Sequence, residues 1–274
     1  MLGNDISNQL RQRGHEVTAQ GKLTDTMLPD TNSANLTAFI NILYTLMDNE
    51  SFRKNIRNWA YESKIETKYQ KLIDSYISLA NNFDKSFLSK ISSSPLKIAR
   101  YSKTFEWYIS ELLTREFGAK STGFGIRLKD ANTDDEFDCI GVFDEGVVFV
   151  ECKTGKDDVY KEVNKFNRRD IELAATYSMF IFDRDYAFAK GVDEPQLKKS
   201  QAQRLRIDKI EKISKAKVVF YLLSSGKRYF LILPGFNNLT ERIRHIIRFV
   251  NMVNDGGYSH QSAYNIEPVE FKEK

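Results

Sequence analysis

The sequence predicts an α/β protein, a mixed central sheet flanked by helices, with an N-terminal helical subdomain. Three observations predict it. Apolar residues recur at helical spacing from Ala34 onward, two strand–turn–strand patterns follow at 136–153 and 218–233, and helical stretches lie before, between and after them. The first helical stretch ends at Ser92, Ser93, Ser94 and Pro95, a composition typical of connections. This divides the chain into residues 1–95, an N-terminal helical region, and residues 96–274, the α/β unit.

Residues 1–32 carry weak periodicity and polar clusters, and read as a loose arm or small extra elements. Leu36, Ile40, Leu43 and Met47 then recur at i, i+4, i+7 and i+11, one face of a helix. Further helices are expected over 51–63 and 66–79, with a break at Asn81, Asn82 and Asp84. Residues 103–116 form an amphipathic helix with Phe105, Tyr108, Ile109, Leu112 and Leu113 on its apolar side, stopped by Gly118. Phe105, Trp107 and Tyr108 are core residues on this reading.

A strand over 122–128 and a polar turn over 129–135 lead into the hairpin 136–143 and 147–153, which turns at Asp144, Glu145 and Gly146. A charged helix is expected over 157–178, and 179–182 reads equally as its extension or as a short strand. Residues 195–216 read as a long basic helix with Pro195 in its first turn, Ile210 and Ile213 on its apolar side and Lys209 and Lys212 facing solvent or phosphate. A second hairpin spans 218–223 and 228–233. The last helix starts near Asn238, with Glu241 placed for a capping box and Leu239, Ile243 and Ile246 on its apolar face. Arg242, Arg244 and Arg248 fall on the remaining side, as solvated charge or as part of a phosphate track.

Composition narrows the function classes. Of 274 residues, 41% are hydrophobic and 28% charged, the balance of a globular protein with a sizeable core. The net charge of +4 permits a local nucleic-acid patch without demanding one. No apolar run reaches bilayer length and residues 1–16 are polar, so the expected location is cytoplasmic, with no membrane partner. Cys139 and Cys152 both lie in the first hairpin, and His15, His245 and His260 are scattered. Neither a disulfide framework nor a zinc site is expected from these.

The first hairpin carries the chemistry. Side chains alternate along a strand, so Glu151 and Lys153 share one face while Cys152 points to the other. Pairing about the turn brings Asp138 to the same patch. Two carboxylates and an ammonium on one sheet face can chelate a hard cation and hold a water, which is the chemistry of phosphodiester hydrolysis. A Glu-x-Lys triplet alone is more often an exposed charge pair of small value. Here it ends an apolar run, follows an acidic strand after a tight turn, and comes after a helix bearing Glu106.

The order helix, strand, strand, strand carrying Glu151, Cys152 and Lys153, helix, strand resembles the core of the PD-(D/E)XK nuclease superfamily, which includes restriction endonucleases and Holliday-junction resolvases. The resemblance covers residues 103–175, extends to the hairpin at 218–233, and leaves out the N-terminal hundred residues. Phe137 stands where the pattern has proline. The resemblance implies a restriction-endonuclease-like sheet and a site for Mg²⁺ or Mn²⁺ held by Asp138, Glu151 and the backbone carbonyl of Cys152. Glu106 would act through water or on a second metal, with Glu111 and Glu136 as alternative acids. Lys153 would position or help deprotonate the attacking water. Lys156, Lys161 and Lys165 sit where the superfamily's next helix often reaches phosphate, although solvated helix charge explains them as well.

The expected activity is therefore a metal-dependent endonuclease acting on nucleic acid, DNA favoured, in restriction, antiviral (phage) defence or repair. RNA carries the same bond and is an alternative substrate. A catalytically silent nucleic-acid-binding or assembly module of the same fold is the alternative from another class. Double-strand cutting by one site per chain would imply a homodimer, and the N-terminal helices are a candidate seat for a regulatory partner.

Overall fold

Helix α6 (Ser94–Arg115) is the element against which both halves of the chain pack. Ser94 and Pro95, expected to lie in a connection, open it, since proline's fixed φ suits a first helical turn. Every residue from 104 to 113 is buried, which places α6 inside the protein rather than on its surface. Gly118, at φ +71°, turns the chain out of it, and the Ala119 N–H returns to the Leu113 carbonyl at 3.0 Å.

The computed structural model describes residues 6–63, 65–129, 136–155, 159–183, 207–213, 218–223, 229–234, 239–254 and 266–268. Ahead of α6 come α1 (Ile6–Gln12), β1 (Val17–Ala19), a 3₁₀ turn (Leu23–Asp25), α2 (Ser33–Asp48), α3 (Glu50–Glu62), α4 (Thr67–Phe83) and α5 (Phe87–Lys90). Asn32 and Asn49 cap α2 and α3, their side chains accepting from Asn35 N and Phe52 N. After α6 come β2 (Ser121–Leu128), β3 (Phe137–Val142), β4 (Val147–Lys153), α7 (Val159–Leu173), β5 (Tyr177–Phe182), β6 (Ile207–Ile213), β7 (Val218–Leu223), β8 (Tyr229–Pro234), α8 (Leu239–Asn254) and β9 (Ile266–Pro268).

Among the described residues the strands lie in the order β1-β2-β3-β4-β5-β8-β7-β6-β9. β4, β5 and β8 are parallel, and the other pairs are antiparallel. The fold is thus α/β with a mixed sheet flanked by helices. The parallel step from β4 to β5 requires a crossover, which α7 supplies. Ala174, at φ +50°, ends α7 and frees residues 177–182 to form a strand rather than extend the helix.

The sheet separates two apolar layers. On one side Cys139, Val148, Val150 and Cys152 join α6 and residues of α2, α3 and α4 such as Leu43, Phe52 and Ile73. On the other, Ile140, Val147 and Phe149 pack with Phe166 of α7 and Ile6 of α1. β3 is buried throughout and β4 up to its last residue, so neither face of this hairpin is solvated.

Two expectations are corrected. The basic helix at 195–216 is not formed at its C-terminal end, where Ile207–Ile213 is a strand paired with β7 and β9, while 195–206 lies outside the described residues. Ile207, Ile210 and Ile213 recur every three residues, which mimics a helical period. A register shift between Ile207 and Lys209 inserts a residue into the ladder, and such bulges displace the strand period. The second correction is Arg242, expected on the wet side of α8 but buried.

The turn between β3 and β4 allows little change. Gly146 has φ +148°, and a Cβ there would lie 1.8 Å from Thr176 Oγ1. Gly146→Ala should cost about 1–3 kcal/mol, read as a lowered urea midpoint. Asp84, between α4 and α5, accepts from Asp30 N, Ser86 N, Ser86 Oγ and Lys90 Nζ, the last at 2.6 Å. Burial alone would raise its pKa, but these donors hold it below the ordinary carboxylate value. Because the folded pKa is depressed, the stabilisation is present above the unfolded pKa and is lost as pH falls through the folded one. Asp84→Asn should therefore destabilise by about 1–3 kcal/mol at pH 7, with the difference shrinking in acid denaturation series.

Candidate active site

The β3–β4 register pairs Cys139 with Val150, so Asp138 and Glu151 fall at the next step of the same ladder. The Cys152 N–H donates to Asp138 Oδ2 at 2.8 Å and ties the two strands there. Glu151 is wholly buried and Asp138 nearly so, whereas Lys153, at the end of β4, is 16% exposed and connects the group to the surface. Lys153 Nζ lies 2.7 Å from Glu151 Oε1 and 2.7 Å from Glu162 Oε2 of α7. On the far side of Glu151, Arg169 Nη1 donates to Oε2 at 2.6 Å.

Glu106 enters from α6. It is buried, pairs with Lys103 Nζ at 2.8 Å, and is close enough to raise the pKa of Asp138. Glu111, the other acid on that helix, pairs instead with Arg115 Nε at 2.7 Å. Glu136 is bound by Lys103 and has Arg127 Nε at 3.8 Å. Of the following lysines, Lys156 and the side chain of Lys161 lie outside the described residues, and Lys165 is half-buried on α7.

Charge and burial set the protonation. Burial first, then the charge of Glu106, raises Asp138 to about 6. Burial and then Asp138 raise Glu151 to about 7, against the pull of Lys153 and Arg169. Glu106 is raised as well, by burial, with Lys103 opposing. For Lys153 burial favours the neutral amine, but Glu151 and Asp138 outweigh it and hold the ammonium. Cys139 and Cys152 are buried in the layer under α6, and burial pushes both thiols up. They are packing residues here, not nucleophiles.

The oxygen-only donor set of Asp138, Glu151 and the Cys152 carbonyl suits a hard divalent cation. Glu151 Oε1 is buried and faces Lys153 Nζ at 2.7 Å. Such an oxygen can exchange an ionic contact for a metal. Among the described residues no three Asp, Glu, His or Cys side chains are grouped to share one ion.

Arg169 and Glu162 were missed at the sequence level. Phe166, Arg169, Asp170 and Leu173 recur at i, i+3, i+4 and i+7 and all are buried. Charged residues falling on a helix's apolar stripe were the available signal.

No protein-family model and no curated protein matches the chain. A solved structure, Can2 from Sulfobacillus thermosulfidooxidans in complex with cyclic tetra-adenylate (cA4), is similar at TM-score 0.47 and 14% identity. The match covers 90% of this chain and 61% of that one, so this chain spans about three-fifths of Can2's length.

Removing one partner of a buried pair leaves an uncompensated charge. Arg169→Leu should destabilise by about 3–5 kcal/mol, and Glu151→Gln with Arg169→Leu should cost less than Arg169→Leu alone, both read from urea unfolding.

Proposed function

We propose that the chain is a metal-dependent endonuclease of the PD-(D/E)XK type, hydrolysing phosphodiester bonds of DNA in restriction, phage defence or repair. The observation that carries this reading is the joining of Asp138, Glu151 and Lys153 at the end of β4, with Glu106 beside them from α6. Asp138, Glu151 and the Cys152 carbonyl would hold Mg²⁺ or Mn²⁺. The chemistry that such a cation supplies when bound is polarisation of the phosphoryl group and a lowered pKa of its water.

Glu151 and Asp138 favour the ammonium form of Lys153, which would orient the attacking water and offset charge that develops on phosphorus. Glu106, a buried carboxylate whose pKa is raised by burial, lies nearby as an acceptor for the proton released on attack. The hydrolysed bond is common to DNA and RNA, and the preference for DNA rests on the superfamily resemblance alone. The cytoplasmic location is proposed from the polar residues 1–16 and the lack of an apolar run of bilayer length in the sequence, and one site per chain cutting both strands would imply a two-fold dimer. Among the described residues no helix is long and apolar enough to cross a membrane.

A second reading has its own support. Both oxygens of Glu151 face cations of the chain itself, Lys153 and Arg169. In a catalytically silent member of the fold such pairs would replace the metal and leave a nucleic-acid-binding or assembly module.

Incubation with plasmid, single-stranded DNA and RNA in Mg²⁺, in Mn²⁺ and in chelator separates these readings. Cleavage is expected with either cation and not in chelator, and Asp138→Ala, Glu151→Ala and Lys153→Ala should each lower it by about 10²-fold or more with the circular dichroism unchanged. Full activity in any of the three sinks the assignment. Calorimetry without Mg²⁺ or Mn²⁺ binding would favour the silent module.

A further inference from the structure

The N-terminal helices reach the end of the catalytic hairpin through a buried polar cluster. Thr154, directly after Lys153, is buried, and its hydroxyl lies 2.6 Å from Tyr61 Oη of α3 and 2.7 Å from Ser102 Oγ of α6. Arg57, also on α3, points Nη2 at the Thr154 carbonyl at 3.5 Å and has Nε 3.9 Å from Asp183 Oδ2. Its guanidinium stacks 4.9 Å from the Tyr61 ring centre. Asp183, just past β5, accepts from Tyr101 Oη of α6, and its backbone N–H donates to the Lys153 carbonyl at 2.8 Å. Arg57 and Asp183 are both almost wholly buried.

Such a cluster is a costly way to join two parts of a chain. Burying a guanidinium and a carboxylate carries a desolvation penalty of several kcal/mol per ion that apolar packing avoids. What the cluster supplies and apolar packing does not is direction: hydroxyls and a guanidinium hold Thr154, and the Asp183 N–H holds the Lys153 carbonyl. Lys153 is the last residue of β4 paired with β5, opposite Phe182, so the chain that follows it is held by this cluster.

We propose that Tyr61, Arg57 and Asp183 are positioning residues for Lys153, so that α3 of the N-terminal region is a working part of the site and not a separate module. The catalytic role given to Lys153 rests on the nuclease reading above; its positioning does not.

Truncating Arg57 or Asp183 would strand a buried charge and can unfold the chain, so the test uses hydroxyl deletions in the full-length protein. Tyr61→Phe keeps the ring against Arg57, Thr154→Val removes the shared hydroxyl, and Thr154→Ser restores one. Two readouts are taken: cleavage kinetics, and the rate at which an amine-acetylating reagent modifies Lys153, followed by mass spectrometry without metal or substrate. Tyr61→Phe and Thr154→Val should raise Lys153 acetylation several-fold and lower kcat about 10-fold with KM unchanged, and Thr154→Ser should return both toward wild type. Unchanged acetylation in both deletions overturns the proposal whatever the kinetics. So does raised acetylation with unchanged kcat in an enzyme that cleaves, and so does a kcat loss explained by a matching drop in thermal midpoint. If the wild type cleaves nothing, the nuclease reading has failed, and acetylation alone decides whether α3 positions Lys153.

Discussion

Glu151 is a carboxylate with no access to water, and much of the surrounding structure answers that constraint. A buried charge is tolerated only with partners, and Glu151 has one from its own strand, Lys153, and one from the crossover helix, Arg169. Lys153 in turn divides its charge between Glu151 and Glu162, so α7 is bound to the end of β4 at two points. The helix that a parallel β4–β5 step requires for topological reasons is thereby also the element that neutralises the site.

The Asp138–Glu106 pair joins the hairpin to α6. Asp138 is held by the Cys152 N–H and crowded by Glu106, whose own charge is balanced by Lys103. Carboxylates from two strands and one helix thus converge with lysines from α6 and β4, and each carboxylate binds its proton more tightly than it would in water. An environment that penalises bare carboxylates is one in which a cation or a transferred proton is favoured.

The N-terminal helices belong to the same packing. α3 lies against α6, their side chains share one apolar layer with β3 and β4, and the Arg57–Asp183 and Tyr61–Thr154 contacts run from that layer to the strand ends. Helices with no recognisable motif of their own still meet the end of the strand that bears Glu151 and Lys153.

The sequence by itself determined the β3–β4 hairpin to within a residue, and with it which of Glu151, Cys152 and Lys153 face together, because strand alternation is a local rule. It also determined α2 to α4 and the apolar face of α6, since helical period is local too. Period misled at Ile207–Ile213, where β6 carries one residue more than β7 between Ile207 and Lys209, and which residue is left out of the ladder depends on the strand it pairs with. Only the tertiary structure decided that Glu106 rather than Glu111 adjoins Asp138, and that Arg169 and Glu162 complete the charge balance. It alone brought Arg57 and Tyr61 to the end of β4. Each of these depends on how two distant elements pack, and a buried ion pair between residues far apart has no signature in either stretch beyond a charge on an apolar face.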